Sequence, residues 1–169
     1  MDKDLQIQEF TSLINKHQGI IFKVSRMYCD NEECRKDLFQ DILLQLWKSY
    51  PKYSHDSKFS SWMYRVALNT AISQFRNAQK ETVDFFSQIP VDVYDENLHS
   101  DKEERSRMLY DAIASLSKIE KSIIILYLDD YQYNDISEIL GISVSNVGVQ
   151  ISRIKTKLQK ILKEMGYEF

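Results

Sequence analysis

The sequence predicts an all-α protein made of two small helical domains joined by an acidic flexible linker, and three observations support that fold class. Only four glycines and two prolines occur in 169 residues, so the residues that interrupt helices and shape hairpins are scarce. Apolar residues recur every three to four positions in several segments, as in helices that bury one face. Acidic residues accumulate in one central segment, which divides the chain in two.

Seven segments have the character of helices. In the first domain we predict helices over residues 5–29, 32–50 and 60–77, with Pro51 ending the second and Ser60 capping the third. In the second domain we predict helices over residues 102–115, 118–129, 132–140 and 144–164. The turn LGIS at 140–143 joins the last two. A short helix, a glycine-containing turn and a longer basic helix are typical of a helix-turn-helix.

The charge distribution defines the linker. Residues 1–78 carry 11 basic and 9 acidic side chains, residues 79–104 carry 2 and 8, and residues 105–169 carry 9 and 8, for a net charge of −3. Helical periodicity fails in the middle segment and Pro90 interrupts it. We therefore predict a first domain at 1–78, a linker at 79–104 and a second domain at 105–169.

Several classes of protein are disfavoured by composition. No apolar run approaches the roughly 20 residues that cross a bilayer, and the first residues resemble no signal peptide, so we expect a cytoplasmic protein without membrane insertion. Cys29 and Cys34 lack a second pair and the three histidines are scattered, which argues against a zinc site and favours reduced thiols. We expect no cofactor.

The last predicted helix has two distinct faces. A stripe that includes Val144 and Val147 and ends at Ile161 is apolar and predicts the core side. Between Gly141 and Lys163 there are five basic residues and no acidic one. Because an ordinary solvated helix normally mixes charges of both signs, this face indicates DNA contact in a major groove.

The helix predicted at 60–77 also has a polar stripe without acid. Tyr64, Ala67, Leu68, Ala71 and Phe75 form its apolar side. The opposite stripe holds Trp62, Arg65, Asn69, Ser73 and Arg76. Arginine and asparagine can grip phosphates or base edges, and a tryptophan offers a surface on which an unpaired base can stack.

The helix predicted at 32–50 carries an outward cluster. Its apolar stripe of Phe39, Ile42, Leu43, Leu46 and Tyr50 leaves Asp37, Asp41, Leu44 and Lys48 on the far side. Leu44 is therefore expected to face outward among fixed charges. With Gln40, Gln45 and Trp47 at its flanks, this composition suits a protein interface as well as an ordinary solvated surface.

Three stretches taken together resemble a bacterial RNA polymerase sigma factor of the extracytoplasmic-function group. They are DLFQDILLQLWKSYPKY at 37–53, KFSSWMYRVALNTAISQFR at 58–76, and the helix-turn-helix segment at 116–162. The order is the specific feature, since helix-turn-helix segments alone are common. The resemblance implies a transcription initiation factor that recognises −10 and −35 promoter elements and catalyses nothing itself.

The resemblance implies a role for each domain. The first domain would bind the clamp coiled coil of core RNA polymerase and melt the −10 element, and the second would bind the flap and the −35 duplex. The implied polymerase contacts are Asp37, Gln40, Asp41, Leu44, Gln45 and Trp47. The implied −10 contacts are Lys52, Tyr53, Lys58, Phe59, Trp62, Arg65, Asn69, Ser73 and Arg76, with the loop 52–59 capturing a flipped base. The candidate −35 contacts are Ser145, Asn146, Val149, Gln150, Arg153 and Lys157.

Further partners follow from the same resemblance. The acidic linker would thread the polymerase channel that RNA later occupies, and we expect the protein to act as a monomer. The sequence leaves open whether an anti-sigma factor binds it.

The last helix departs from the family at three positions. A basic residue is common where Gly148 stands, another at Gln150, and an aromatic residue or histidine at Ser152. A glycine within a helix costs about 1 kcal/mol relative to alanine. We therefore hypothesise that close approach of backbone to DNA or to a neighbouring helix retains Gly148, and that shape, Arg153 and the Lys155–Lys163 phosphate contacts replace several base contacts.

Two other functions compete with this interpretation. A free-standing regulator of the response-regulator type has a similar helix-turn-helix, but residues 1–78 do not resemble an α/β receiver. A metal-dependent hydrolase could use Asp37 and Asp41, but no histidine follows at helical spacing.

Overall fold

The computed structural model describes residues 2–73 and 102–167, and within them it contains seven α-helices, one 3₁₀ turn and no strand. In the first unit, α1 covers Lys3–Tyr28, α2 covers Glu32–Ser49, the 3₁₀ turn covers Tyr50–Lys52 and α3 covers Phe59–Ile72. In the second unit, α4 covers Lys102–Ala114, α5 covers Lys118–Leu128, α6 covers Tyr133–Leu140 and α7 covers Val144–Glu164. The chain divides into two compact units. The predicted all-α, two-unit fold is confirmed.

The first unit is a three-helix bundle in which each helix contacts the other two. Its core is formed by side chains with no exposed surface: Phe10, Ile14, Ile21, Leu38, Ile42, Leu46, Met63, Tyr64 and Leu68. Burying a large apolar side chain contributes about 1.5–3 kcal/mol, so this core dominates the unit's stability. Pro51 lies in the 3₁₀ turn that follows α2, as expected of a residue that cannot continue a helix.

In the second unit, α4, α5 and α6 all contact α7. Its fully or almost fully buried residues include Ile113, Ile123, Ile136, Val147, Ile151 and Ile154. Gly141 ends α6 with φ +69°, a left-handed conformation that glycine adopts without steric cost. The Ser143 hydroxyl then caps α7 by accepting from the backbone N–H of Asn146 at 3.1 Å. These two residues set the turn of the predicted helix-turn-helix.

The third predicted helix differs from the observed α3 at both ends. It begins at Phe59 with Lys58 at the N-cap position and no side-chain cap, so Ser60 lies inside the helix and the predicted serine cap is wrong. It ends at Ile72, where Ser73 is the C-cap. Phe75, Arg76 and all but the last three residues of the predicted linker lie outside the described residues.

The two cysteines also differ from expectation. Cys29 follows α1, Cys34 lies in the first turn of α2, and the two are joined by a disulfide with Cα atoms 5.6 Å apart. The prediction of reduced thiols is therefore wrong for this structure. It rested on the expected compartment, whereas the short turn between the helices brings the two residues within the distance that a disulfide spans.

Two apolar residues differ in burial from what the helical periodicity predicted. Leu44 was expected to face outward, but only 3% of it is exposed, so that prediction is wrong. Because α2 packs against both α1 and α3, its buried arc is wider than one stripe. Val144 was expected in the core but is 43% exposed, since it is the first residue of α7 and the buried stripe begins one turn later at Val147.

Candidate functional site

The outward face of α2 is acidic and polar. Asp37 and Gln40 are exposed and Asp41 is half-buried, and their spacing places Asp37 and Asp41 one turn apart on the helix. Gln45 is also half-buried. Since Leu44 is buried, this face presents carboxylates and amides rather than an exposed leucine. It is suited to bind a partner with basic and hydrogen-bonding groups.

The folded protein disfavours ionisation of Asp41. Partial burial, and then the nearby carboxylate of Asp37, raise the pKa of Asp41 above its ordinary value. The positive charge of a basic partner placed against this pair would offset the repulsion between the two carboxylates and favour the ionised form of Asp41. Trp47, by contrast, lies half-buried with its ring centroid 5.0 Å from that of Phe10, so it supports the packing of α1 on α2.

An aromatic cluster, formed by Tyr50, Tyr53, Phe59 and Trp62, connects the end of α2 with the start of α3. The ring of Tyr53 lies 5.0 Å from that of Trp62 and 5.6 Å from that of Phe59, and Phe59 lies 5.3 Å from Trp62. Phe59 is buried, whereas Tyr53 and Trp62 are half-buried. In this cluster the partly exposed rings of Tyr53 and Trp62 therefore pack against the buried ring of Phe59.

Both tyrosines of the cluster stay neutral near neutral pH. Burial, and then the Glu9 carboxylate, raise the pKa of Tyr50 to about 12. Burial and then Asp56 raise the pKa of Tyr53. The Tyr53 hydroxyl donates to the backbone carbonyl of Ser57 at 2.7 Å, which ties the ring to the loop that follows. Neutral, fixed rings are suited to stacking on a nucleobase.

The loop between the 3₁₀ turn and α3 contains a residue that sequence reasoning did not single out. His55 has φ +61°, and its ring lies 4.5 Å from that of Tyr53. Exposed lysines, Lys52 and Lys58, lie on either side of it along the chain. A histidine in the left-handed region is uncommon, but no feature of the sequence distinguishes this position.

The polar stripe of α3 continues from the cluster. Arg65, Asn69 and Ser73 are exposed and follow Trp62 at helical spacing, and Tyr64, Ala67, Leu68 and Ala71 are buried on the other side. The two predicted faces of this helix therefore match the structure over the described residues. The stripe joins a stacking surface to groups that bind phosphates or base edges.

The exposed part of α7 has two flanks. One flank carries Asn146, Gln150, Arg153 and Lys157, and the other carries Ser145, Val149, Ser152 and Thr156. All are exposed except Gln150, which is half-buried. The first flank holds the long polar side chains and the second holds short ones. An α-helix of this kind fits the major groove of a duplex.

Lys157 is exposed, but its ammonium is engaged in an ion pair that the sequence did not suggest. Its ammonium lies 2.9 Å from the carboxylate of Glu120, whose other interactions form a capping box with Ser117 at the start of α5. Burial alone would raise the pKa of Glu120, but the bonds from Ser117 and Lys157 outweigh it and lower the pKa. Lys157 thus joins α7 to α5.

Gly148 lies beside the short-chain flank of α7. A Cβ atom added there would meet only the ring of Tyr133, at 3.5 Å, which is ordinary van der Waals contact. Packing within the second unit would therefore accept an alanine. The sequence suggested two reasons for this glycine, close approach of the backbone to DNA or to a neighbouring helix. The packing of neighbouring helices does not require a glycine here.

The described residues hold no alternative site of the kinds considered above. Within residues 2–73 and 102–167, no three His, Cys, Asp or Glu side chains are grouped as metal ligands would be. No helix of this part is long and apolar enough to cross a membrane.

Comparison with known families gives two matches in sequence order. The family described as Sigma-70 region 2 matches residues 13–81, and the family described as Sigma-70, region 4 matches residues 106–158. The first match contains most of α1 and all of α2 and α3, and the second contains the helix-turn-helix. Together they include every candidate contact named above.

Individual proteins are similar over most of the chain. The ECF RNA polymerase sigma factor SigW of Bacillus subtilis is 24% identical, with 92% of this chain and 90% of SigW covered. The RNA polymerase sigma factor SigZ of the same organism is 31% identical, covering 75% of this chain and 72% of SigZ. Among solved structures, the sigma factor RpoE of Bartonella quintana, in complex with the anti-sigma factor NepR, has a TM-score of 0.63 at 21% identity and covers 96% of this chain and 98% of its own.

Proposed function

The chain belongs to the extracytoplasmic-function group of RNA polymerase sigma factors, and on that basis we propose what each of its two units does. The order of the two matched regions is the observation that carries the assignment. A free-standing regulator needs only the second region, so the presence of the first disfavours that alternative. Sigma factors direct RNA polymerase to promoters, and nucleotidyl transfer belongs to the polymerase.

We propose that Asp37, Gln40 and Asp41 form the contact with core polymerase, on its clamp coiled coil. Two exposed polar residues and a half-buried carboxylate lie together here on one helix face, which is backed by the buried core of the first unit. Gln45 lies at the edge of this face, and Trp47 supports it from the α1 side. A basic partner would relieve the mutual repulsion of the two carboxylates.

We propose that the aromatic cluster and the polar stripe of α3 act on the −10 element. Tyr53 and Trp62 would stack on a flipped base, with Phe59 fixed behind them and Lys52 and Lys58 near the phosphates. Arg65, Asn69 and Ser73 would hold the neighbouring strand, and Arg76 would continue the stripe. Support comes from the exposure of Arg65, Asn69, Ser73 and the two lysines, and from the mutual packing of the rings of Tyr53, Phe59 and Trp62.

We propose that α7 reads the −35 duplex with its backbone as well as its side chains. Asn146, Gln150 and Arg153 would contact one side of the groove, whereas Ser145, Gly148 and Val149 would let the helix approach the other side closely. The space around Gly148 inside the unit supports this reading, because no neighbouring helix requires the glycine. Lys157 would act mainly by fixing α7 on α5.

We propose further roles for the domains, the linker and the partners of the chain. Residues 1–78 and 105–169 would be the functional domains, and the acidic segment 79–104 would thread the channel of polymerase. The second unit would also bind the polymerase flap. We place the protein in the cytoplasm as a monomer, with an anti-sigma factor as a further partner of the kind bound to the Bartonella quintana relative.

The polymerase interface is tested by Asp41→Arg. We expect this substitution to abolish capture of core polymerase, because it replaces a carboxylate at the centre of the face with a cation. Glu33→Arg, an exposed position in the first turn of α2, is the matched control. If Asp41→Arg captures core as well as wild type, with unchanged circular dichroism, the interface is wrong.

A further inference from the structure

The turn between α1 and α2 holds the two cysteines of the chain in a bonded pair. Cys29 is 3% exposed and Cys34 is half-buried. A disulfide in a protein that works on RNA polymerase is unexpected, because cytosolic thiols are kept reduced and cytosolic disulfides are usually transient, catalytic or redox-sensing. We propose that Cys29 and Cys34 form a reversibly oxidised pair that regulates binding to core polymerase. The proposal rests on the polymerase interface assigned to α2 above.

The position of the pair connects it to that interface. Cys34, Asp37 and Asp41 are spaced three and four residues apart, so they follow one another along the same face of α2. Cys34 is the first of the three and lies one turn before Asp37. A bond at Cys34 therefore anchors the end of the face that binds polymerase.

Hydrogen bonds also hold this turn. The Asn31 side chain accepts from the backbone N–H of Cys34 at 2.8 Å, and the Arg35 side chain donates to the carbonyl of Cys29 at 3.1 Å. Asp30, Asn31, Glu32 and Glu33 are all exposed. The backbone N–H groups of Cys29 and Arg35 donate to the carbonyls of Ser25 and Asn31, each at 3.1 Å. The covalent bond adds to these hydrogen bonds a direct link between the end of α1 and the first turn of α2.

The chemistry requires an oxidant, for which we name a hydroperoxide. The more exposed Cys34 thiolate attacks one peroxide oxygen, the O–O bond breaks, a sulfenic acid forms, and the other oxygen leaves as water or an alcohol. The Cys29 thiolate then attacks the sulfenic sulfur, the S–S bond forms, and hydroxide leaves and is protonated to water. The two sulfurs lose two electrons, which the peroxide gains. A cellular dithiol returns both electrons by thiol–disulfide exchange.

Oxidation is expected to tighten polymerase binding. In the disulfide form the first turn of α2 is already ordered, so less conformational entropy is lost when Asp37 and Asp41 bind. In the dithiol form the turn would be held by the Asn31 cap and the other hydrogen bonds alone, so part of that ordering would occur on binding. Ordering about one residue corresponds to a change in the dissociation constant of about five- to thirtyfold, and a turn that is already partly held should change it by less.

The test compares two forms of the full chain. The protein is reduced with dithiothreitol or oxidised with hydrogen peroxide that is afterwards removed by catalase, and the dissociation constant for core polymerase is measured for each. We expect an intramolecular disulfide by mass spectrometry, tighter binding of the oxidised form by a few-fold and at most about thirtyfold, and reversal by dithiothreitol. Cys29→Ser and Cys34→Ser are matched controls, because the chain has no other cysteine and neither variant can form the pair.

Each contrary outcome has a distinct meaning. Absence of the intramolecular disulfide, equal affinity of the two forms, or the same response to peroxide in Cys34→Ser as in wild type would overturn the redox proposal and leave the interface intact. If neither form binds core polymerase, the interface itself is wrong and the redox control of it falls as well.

Discussion

The two candidate DNA surfaces are built in opposite ways. In the first unit, large rings pack on one another, and Tyr53 and Trp62 remain partly exposed above the buried Phe59. In the second unit, the corresponding surface of α7 combines a flank of short side chains beside Gly148 with a flank of long polar ones that includes the exposed Arg153, and it carries no aromatic ring. Aromatic rings can stack on a base that has left the duplex, whereas a helix without large rings on its exposed face can enter the major groove of an intact duplex. The difference thus matches melting in one unit and duplex reading in the other.

Among substitutions on the two candidate DNA surfaces, Trp62→Ala is expected to have the largest effect. Loss of one stacked base costs about 1–3 kcal/mol, or roughly five- to 150-fold in open-complex formation. The measurement is fluorescence of 2-aminopurine placed in the non-template strand of the −10 element. Trp62→Phe keeps an aromatic face and should retain most of the signal. Equal base capture by Trp62→Ala would mean that the aromatic cluster does not hold the flipped base by stacking on Trp62.

A smaller effect is expected for Arg153→Ala. We expect promoter-dependent transcription to fall severely, by about tenfold, with Arg105→Ala, an exposed arginine of α4, as control. Each single base change in the −35 element should cost less than the roughly 1–3 kcal/mol of a lost bidentate contact. A reporter assay over all single −35 substitutions decides this. Two or more strict positions would mean that side chains, with Asn146 and Gln150 as candidates, read the bases.

Gly148→Ala should separate stability from recognition. The added methyl meets only the Tyr133 ring at 3.5 Å, so the helix should gain about 1 kcal/mol and melt at a higher temperature. Transcription should nevertheless fall a few-fold, because the methyl would hold the helix away from DNA. Gly19→Ala is the matched control, since Gly19 lies within α1 with no atom within 4 Å of the new methyl. A more stable Gly148→Ala protein with full activity would contradict the backbone approach.

The smallest effect concerns the charge in the first unit. Because the pKa of Asp41 is raised in the folded protein, ionisation of this group destabilises the fold, and that cost is absent at low pH, where the carboxyl is protonated. Asp41→Asn should therefore be slightly more stable than wild type at pH 7, and the advantage should disappear as the pH falls below the ordinary pKa of aspartate. Thermal unfolding at several pH values measures it. If Asp41→Asn is less stable than wild type at pH 7, ionisation of Asp41 does not destabilise the fold.

Residues close together in the sequence were enough to predict the helices. The predictions that were wrong concern residues whose positions depend on contacts in the folded structure. Gly141 and Ser143 fix the helix-turn-helix turn through backbone conformation and capping, which depend on a few adjacent residues. Ser60 failed as a cap because α3 begins at Phe59, whose ring is buried in the aromatic cluster. Local residues did not determine where Leu44, Lys157 and Cys34 would lie. Their positions depend on helices or turns that pack against them.

The burial of Leu44 changes one expectation from the sequence. An outward leucine would allow Leu44→Asp to disrupt polymerase binding while the fold remained intact. At 3% exposure the new carboxylate would be buried, which is expected to destabilise the first unit by several kcal/mol. Loss of binding by this variant would therefore say nothing about the interface, and Asp41→Arg is the proper substitution.

The most direct test of the account is transcription from genomic DNA by core polymerase with and without the protein. Mapped transcript starts should include a set that requires the protein and shares upstream −10 and −35 sequences, and both Asp41→Arg and Arg153→Ala should lose that set. The isolated protein should bind the same promoters poorly, because its net charge is −3 and DNA binding depends on cationic contacts. No protein-dependent start sites, together with tight and selective binding of promoter DNA by the isolated chain at physiological salt, would contradict the account.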